Sequence, residues 1–309
     1  MRLEQGKDGL PVGQYGVHSY KKPMLLRYYL RPFTSILAKH FPRFCYIDGF
    51  AGPGVVRIRV GNRRYELPGS PMTAINSKPG FTDYFFCDSR KKCTHALELR
   101  CDRLSIAHRN VTVLPHQDFN ICVSSLLSQI PRNYHVFAFL DPDGLELKWE
   151  TVKAIGTRKY REILVNLSNG VFRCAQTAKR NAKHWDTMNS YMGTKDEWWR
   201  YKSEEILETY KTNLKALGTG FDYVLDLPVK NRSGAIIYHL LFATDNDTAF
   251  KIAGPKMVEL AKVGWEQLRT LFLREQGVKV HDLYDFMPAQ EKDRNRDQTI
   301  LTRYIPKTH

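Results

Sequence analysis

The sequence predicts an α/β chain built on one doubly wound, mostly parallel sheet that ends in an antiparallel hairpin and carries inserted segments. Three observations lead there. Short apolar runs alternate with helical segments between about residues 44 and 170, and such alternation implies parallel strands joined by crossover helices. Two further runs, FDYVLDLPV and AIIYHLLFATD, are separated only by KNRSG, a link short enough that they must pair antiparallel. The run VFAFL is apolar at every position, as a central strand buried on both faces should be.

Residues 1–17 are Gly-rich and read as a flexible arm. A helical period follows from about Pro23 through Leu25, Leu26, Tyr29, Phe33, Ile36 and Leu37 to His40, with Pro32 expected to kink or split it. FCYID is the first strand. VVRIRVGNRRYELPGS, residues 55–70, reads as a basic hairpin with Gly61-Asn62 at its tip, and Ser70-Pro71 opens a helix. TDYFFCD is the second strand, followed by a helix over RKKCTHALELRCDRLSIAH; VTVLPHQDF is the third, then a short helix through Cys122 to Leu127. VFAFLDPDG and EILVNLSN are the fourth and fifth. Residues 171–200 break the rhythm: they are polar and basic, yet contain Trp185, Trp198 and Trp199. Helices are expected from about Trp198 to Leu217, from Thr248 to Val263 and over WEQLRTLFLREQG, and the last twenty residues read as a tail. The division is an arm over 1–17, one core over 18–265 with insertions at about 55–70 and 171–200, and a helix and tail over 266–309.

The chain has 309 residues, 42% of them hydrophobic, enough for a sizeable core. No apolar run approaches the roughly 18 residues that span a bilayer, and the opening MRLEQGKDGLPVGQYG lacks the apolar stretch of a signal peptide. A cytoplasmic chain without membrane association is the expectation. Six cysteines at 45, 87, 93, 101, 122 and 174 form no CxxC pair and no common zinc spacing, so reduced structural thiols and no metal are expected. With 47 Lys plus Arg against 32 Asp plus Glu, the formal charge is +15. Such a surface attracts polyanions, nucleic acid first among them; a basic face that merely keeps the chain soluble is the plainer alternative.

The strongest motif is Asp48-Gly49-Phe50-Ala51-Gly52-Pro53-Gly54 after a buried strand. Gly52 and Gly54 let the backbone turn tightly and approach a ligand with its N–H groups forward, at the strand end where open α/β sheets bind ligands. The spacing is not the GxGxxG of nicotinamide enzymes, and the Lys of a phosphate-cradling loop is missing. Asp88 ends the second strand, where a carboxylate can accept from two ribose hydroxyls; an acid there also serves as a helix N-cap. The interval from Asp48 to Asp88 exceeds the usual spacing of about 20 residues, unless 55–70 is looped out. Asp118 and Phe119 close the third strand and could meet an adenine amino group and ring, or form a solvated loop.

Asp141-Pro142-Asp143-Gly144 closes the fourth strand. Methyltransferases that act on amino nitrogens often carry Asp/Asn-Pro-Pro-aromatic there, whose acid and carbonyl orient the acceptor lone pair. Here the aromatic is missing, so Asp141 is the candidate catalytic residue and Asp143 a second acceptor or a turn residue. Asn166, on the same rim, could read a substrate edge, or its segment could simply turn the chain. Candidate nucleic-acid contacts are Arg57, Arg59, Arg63 and Arg64 in the hairpin, with Lys179, Arg180, Lys183 and a base-stacking Trp185 in the later insertion; Arg90, Lys91 and Lys92 extend the basic set. A core role is the alternative for the tryptophans.

A cofactor loop, an acid on the next strand and a terminal hairpin together are the arrangement of class I methyltransferases, and imply S-adenosylmethionine as cofactor. More specifically, the helix at 21–40, YIDGFAGPG, GSP at 69–71, FLDPDG, VNLSNG and LLFATDNDTAFKI resemble the three-Cys-motif partner protein family over about His18 to Val263. That resemblance implies a methyltransferase-like fold and an association with a radical-SAM-like protein that carries the three cysteines. Where the family's DP motif often has Pro or Phe, this chain has Asp143. Two rival functions stand beside a methyltransferase: a non-catalytic docking platform for that partner, and a nucleic-acid-binding protein without transfer activity.

Overall fold

The protein is described from a computed structural model over residues 1–104 and 110–277. In chain order its elements are β1 (Arg2–Gln5), β2 (Pro11–Tyr15), α1 (Lys21–His40), β3 (Phe44–Asp48), β4 (Val55–Val60), β5 (Arg63–Pro68), α2 (Ser70–Ile75), β6 (Asp83–Phe86) and α3 (Lys91–Asp102). There follow β7 (Asn110–Val113), α4 (Phe119–Gln129), β8 (His135–Leu140), α5 (Trp149–Gly156), β9 (Arg161–Ser168), α6 (Gly170–Thr177), α7 (Ala182–Met192) and α8 (Ser203–Lys215). The described chain ends with β10 (Tyr223–Lys230), β11 (Ile236–Thr244), α9 (Asp247–Lys262) and α10 (Trp265–Glu275).

Among the described residues, seven strands form the main sheet in the order β10-β11-β9-β8-β3-β6-β7. Counted along the chain as first to seventh, they run 3-2-1-4-5-7-6 across the sheet. β7, β6, β3, β8 and β9 are parallel, and β11 enters antiparallel between β9 and β10. This is the doubly wound, hairpin-terminated sheet that the alternation predicts, with the class I methyltransferase strand order. Side chains of the central strands alternate between two cores, as a pleat of period two requires. Cys45, Ile47, Val136, Ala138 and Leu140 face the layer of α4 to α8, whereas Phe44, Tyr46, Phe137 and Phe139 face α1, α2 and α9.

Residues 1–17, read as a flexible arm, instead carry two strands. β1 and β2 pair antiparallel, and β2 lies parallel to β4, making a second sheet of order β1-β2-β4-β5. PVGQY has no alternation that marks it as a strand. Its pairing comes from the open edge of β4, whose unpaired backbone groups need partners, and from burial of Val12. Arg100 of α3 fastens the arm further, donating to Asp8 and to the Pro11 carbonyl at 2.8 Å each. The hairpin expected at 55–70 is β4–β5, with Gly61 left-handed at its tip. It packs on α10 through Ile58, Val60, Leu67 and Phe272.

Pro32 neither breaks nor splits α1, which is helical throughout. α8 starts at Ser203, later than expected, because Trp198–Arg200 form a separate short turn. All six cysteines are free and buried. Among the described residues, no helix is long and apolar enough to cross a membrane. The end of the helix read over 90–108 and the tail from 278 onward lie outside the described residues.

Candidate active site

The carboxyl ends of β3, β6 and β8 converge on the glycine loop. Gly52 and Gly54 have φ of 60° and 84°, left-handed values that L side chains rarely adopt. Gly49 is held by close approach: an added Cβ would lie 2.3 Å from a Phe119 ring carbon. The Gly69 N–H donates to the Gly54 carbonyl at 2.8 Å, so the GSP segment is bolted onto the loop and α2 begins directly beside it. The β4–β5 hairpin is looped out between the two, which restores the compact loop-to-acid geometry despite the long interval.

Asp48 is fully buried at the end of β3. Burial pushes its carboxyl up to about 7, opposed by hydrogen bonds from Ser70 and the Phe50 N–H. Asp88 is 4% exposed and accepts from the Gly52 N–H at 3.0 Å. It is also gripped by Arg90, whose backbone N–H, Nε and Nη2 each donate to it at 2.9 Å. Arg90 Nη1 reaches on to Asp143 at 3.2 Å. Asp88 and the glycine loop are thus brought together, with a half-exposed guanidinium laid across the acid.

Asp118 caps α4, its Oδ1 accepting from the Asn120 N–H at 2.9 Å. Phe119 is 2% exposed beneath Gly49 and packs in the core, so it supports the loop from below. It is Phe50, partly exposed and 6.3 Å from the Phe119 ring, that lines the cavity.

The second cluster lies at the ends of β8 and β9. Asp141 Oδ1 accepts from Lys22 Nζ at 2.6 Å and from Asn166 Nδ2 at 2.8 Å. Lys22 lies 4.4 Å over the Tyr238 ring. Among the described residues, the buried Asn166 Oδ1 has no hydrogen-bond partner, an open acceptor beside the Asp141 carboxylate; groups of this kind call for a partner. Asp143 lies outside this cluster: it is exposed and accepts from the Met1 ammonium at 2.7 Å and from Arg90. Met1 also approaches the loop, its Cε 3.7 Å from where a Gly52 Cβ would be. The cavity between Met1, Tyr15, Lys22, Phe50, Gly52 and Asp141 measures about 60 Å³. That is room for water and not for a nucleoside, so a nucleoside ligand requires the lining, Met1 included, to shift.

The basic candidates divide. Arg59, Arg63 and Arg64 are exposed on the hairpin, and Lys179, Arg180 and Lys183 are exposed where α6 passes to α7. Arg57 leaves the set of phosphate contacts, because it is buried and donates to Glu4, Glu66 and the Gln5 carbonyl. Trp185 packs against the core and its indole N–H donates to the Asp196 carbonyl at 2.8 Å, a structural placement shared by Trp198. The residues that sequence reasoning missed are Lys22, Tyr238, Met1 and the clamping role of Arg90. No local signal marks Lys22 or Tyr238, since they reach the site from α1 and β11.

No family model matches this chain, and no curated protein matches it significantly. Solved structures with partial likeness include a protein of Legionella pneumophila, 15% identical over 84% of this chain and 92% of that one, with a TM-score of 0.47. Magnesium protoporphyrin IX methyltransferase from Synechocystis, solved with S-adenosylhomocysteine, is 11% identical over 73% and 84% with a TM-score of 0.36. A putative methylase from Haemophilus influenzae is 12% identical over 70% and 88% with a TM-score of 0.32. These scores are low, so the fold assignment rests on the strand order and the functional reading on this chain's own residues.

Proposed function

We propose that this protein is an S-adenosylmethionine-dependent methyltransferase that acts on nucleic acid. The observation that carries the reading is the contact between the left-handed Gly52 and Asp88 at the carboxyl edge of a 3-2-1-4-5-7-6 sheet. Asp48, Gly52, Gly54 and Asp88 would hold the cofactor, with Phe50 and Asp118 at its base end. S-adenosylmethionine supplies an electrophilic methyl group when bound. Asn166 Oδ1 and Asp141 accept hydrogen bonds from the N–H groups of an acceptor amine, which turns the nitrogen lone pair toward the loop. Lys22 holds Asp141 in place, so the positioning is preorganised.

The cofactor reading is tested by calorimetry with S-adenosylhomocysteine. Micromolar binding is expected, and Asp88→Ala should weaken it by about 10- to 100-fold, the equivalent of roughly 1.5–3 kcal/mol for hydrogen bonds to a charged acceptor. No heat at millimolar ligand would remove the assignment.

The nucleic-acid half draws on the +15 charge and on the exposed Arg59, Arg63, Arg64, Lys179, Arg180 and Lys183. All lie on segments that leave the carboxyl ends of β3 and β9. RNA or DNA binding should fall steeply between about 50 and 200 mM salt, and R63E/R64E should weaken binding to all sequences alike. Affinity that stays level across that range rules out phosphate contact.

One observation favours a second reading, a non-catalytic platform that docks a radical-SAM-like, three-cysteine protein. Arg90 occupies the Asp88 carboxylate and the cavity over Gly52 is only about 60 Å³. A chain that binds S-adenosylhomocysteine but labels no RNA, DNA or protein fraction would support it.

A further inference from the structure

Tyr15 enters the cavity over the glycine loop from outside the main sheet. It closes β2, where the ladder sets it opposite Ile58 of β4, and it lines the same space as Phe50, Gly52, Lys22 and Asp141. The arm that carries it is fastened at several points. Arg100 donates to Asp8 and to the Pro11 carbonyl, and Arg57 donates to Glu4 and to the Gln5 carbonyl. A side chain on a strand held in this way keeps its position before any ligand arrives.

Packing alone does not explain the hydroxyl. Tyr15 is half-buried, and among the described residues the hydrogen-bond partner of its hydroxyl is Met1 Sδ, at 3.1 Å. A thioether is a weak acceptor, so an O–H that exchanges water for it is poorly compensated. A phenylalanine would line the cavity without that cost. Burial pushes the phenol well above its ordinary value, and Asp143, Asp141 and Asp88 add to the rise against Arg90. At neutral pH the group is therefore a protonated donor. Asp88 and Asp141 both act on it, so the hydroxyl stands within range of the cofactor-side acid and the acceptor-side acid alike.

The acceptor that suits this donor is uncharged. The nearby cations are engaged already, Lys22 with Asp141 and Arg90 with Asp88 and Asp143. A phosphate or carboxylate would find no unpaired cation among them, and a protonated amine has no lone pair with which to accept. A nucleobase amine carries both features the site asks for. Its N–H groups suit the Asp141 carboxylate, and the adjoining ring nitrogen offers a lone pair to an O–H. Adenine, cytosine and guanine have such an amine; uracil and the lysine side chain do not.

We infer that Tyr15 reads the acceptor base: its hydroxyl donates to the ring nitrogen beside the amine that Asp141 orients, once the Met1 side chain has moved off it. The hydroxyl keeps its proton in this role. The inference rests on the methyltransferase reading above and adds a substrate class to it, an amino group next to a ring nitrogen that retains its lone pair.

The test follows labelled methyl transfer into nucleic acid, identifies the labelled base after hydrolysis, and then uses a short oligonucleotide that carries that base. Hydrolysis distinguishes adenine, cytosine and guanine. Tyr15→Phe keeps the ring, so S-adenosylhomocysteine affinity should stay within about twofold while kcat/KM falls about tenfold or more, as for a substrate acceptor left unpaired. The unaltered chain should show the same fall when the base is replaced by its deaza analogue, which has C–H in place of that ring nitrogen and keeps the amine. Tyr15→Phe should lose nothing further on the analogue, because both changes remove one hydrogen bond. The analogue arm needs no variant and decides the matter even if Tyr15→Phe does not fold. An unaltered chain that labels no nucleic acid overturns the inference together with the methyltransferase reading. Where label appears, four results overturn the inference alone. They are label on a ring atom or ribose, a folded Tyr15→Phe as fast as the unaltered chain, a deaza analogue methylated as fast as the natural base, and a loss of S-adenosylhomocysteine affinity in Tyr15→Phe that matches its loss of rate. The last would assign the hydroxyl to the cofactor.

Discussion

Replacing Asp141 by Ala is expected to slow methyl transfer about 100-fold while leaving S-adenosylhomocysteine affinity within about twofold of the unaltered chain. Asp141 lies past the end of β8, and its hydrogen-bond partners are Lys22 and Asn166. A carboxylate that orients the acceptor acts mainly as the reaction proceeds, so its loss falls on kcat. Because Ala also leaves Lys22 without its anion, Asp141→Asn is the companion variant. It retains an oxygen toward Lys22 and removes only the charge, and an intermediate rate is expected. The readout is labelled methyl transfer into total RNA, DNA and protein from a strain lacking the gene. If label appears and Asp141→Ala is as fast as the unaltered chain, the acceptor is held elsewhere on the rim, and Asn166 and then Asp143 are the residues to replace.

Gly52→Val is expected to abolish the thermal stabilisation that S-adenosylhomocysteine confers. At about 100 times Kd that stabilisation amounts to roughly 2.7 kcal/mol, which is a shift of a few degrees in Tm for a chain of this size. Among the described residues, a Cβ at Gly52 meets nothing closer than Met1 Cε at 3.7 Å, so the substitution does not clash with them. Its effects come from the left-handed φ of 60°, unfavourable for a β-branched residue by about 1–3 kcal/mol, and from a side chain set over the surface a ligand must approach. The strain lowers Tm without ligand; the blocked approach removes the ligand-induced shift. A full-sized shift in Gly52→Val would mean that the cofactor does not rest on this loop.

The expected arm at 1–17 and the expected adenine contact of Phe119 show where local reading stops. PVGQY carries no period, and its strand character arises because β4 presents an open edge. Phe119 follows Asp118, which the sequence places at a strand end but which caps α4, five residues past the end of β7. The ring turns inward because Gly49 leaves the space into which it packs. The same limit separates Arg57 from Arg59 in VVRIRV: the pleat sends them to the same face. Only the arrival of Glu4 and Glu66 locks Arg57 in ion pairs, while Arg59 stays exposed.

The sequence by itself determined the parallel sheet, the terminal hairpin, the glycine loop and the acids at the strand ends. All of these follow from short-range periodicity and from backbone conformations that few residue types tolerate. The tertiary structure alone decided that Arg90 reaches Asp143, that Lys22 from α1 and Asn166 from β9 share Asp141, and that His135 and Glu162 come together at the far end of the sheet. Those are contacts between residues distant in the chain. They depend on how helices pack across strands and on which buried polar atoms find partners, and no local pattern of residues encodes either.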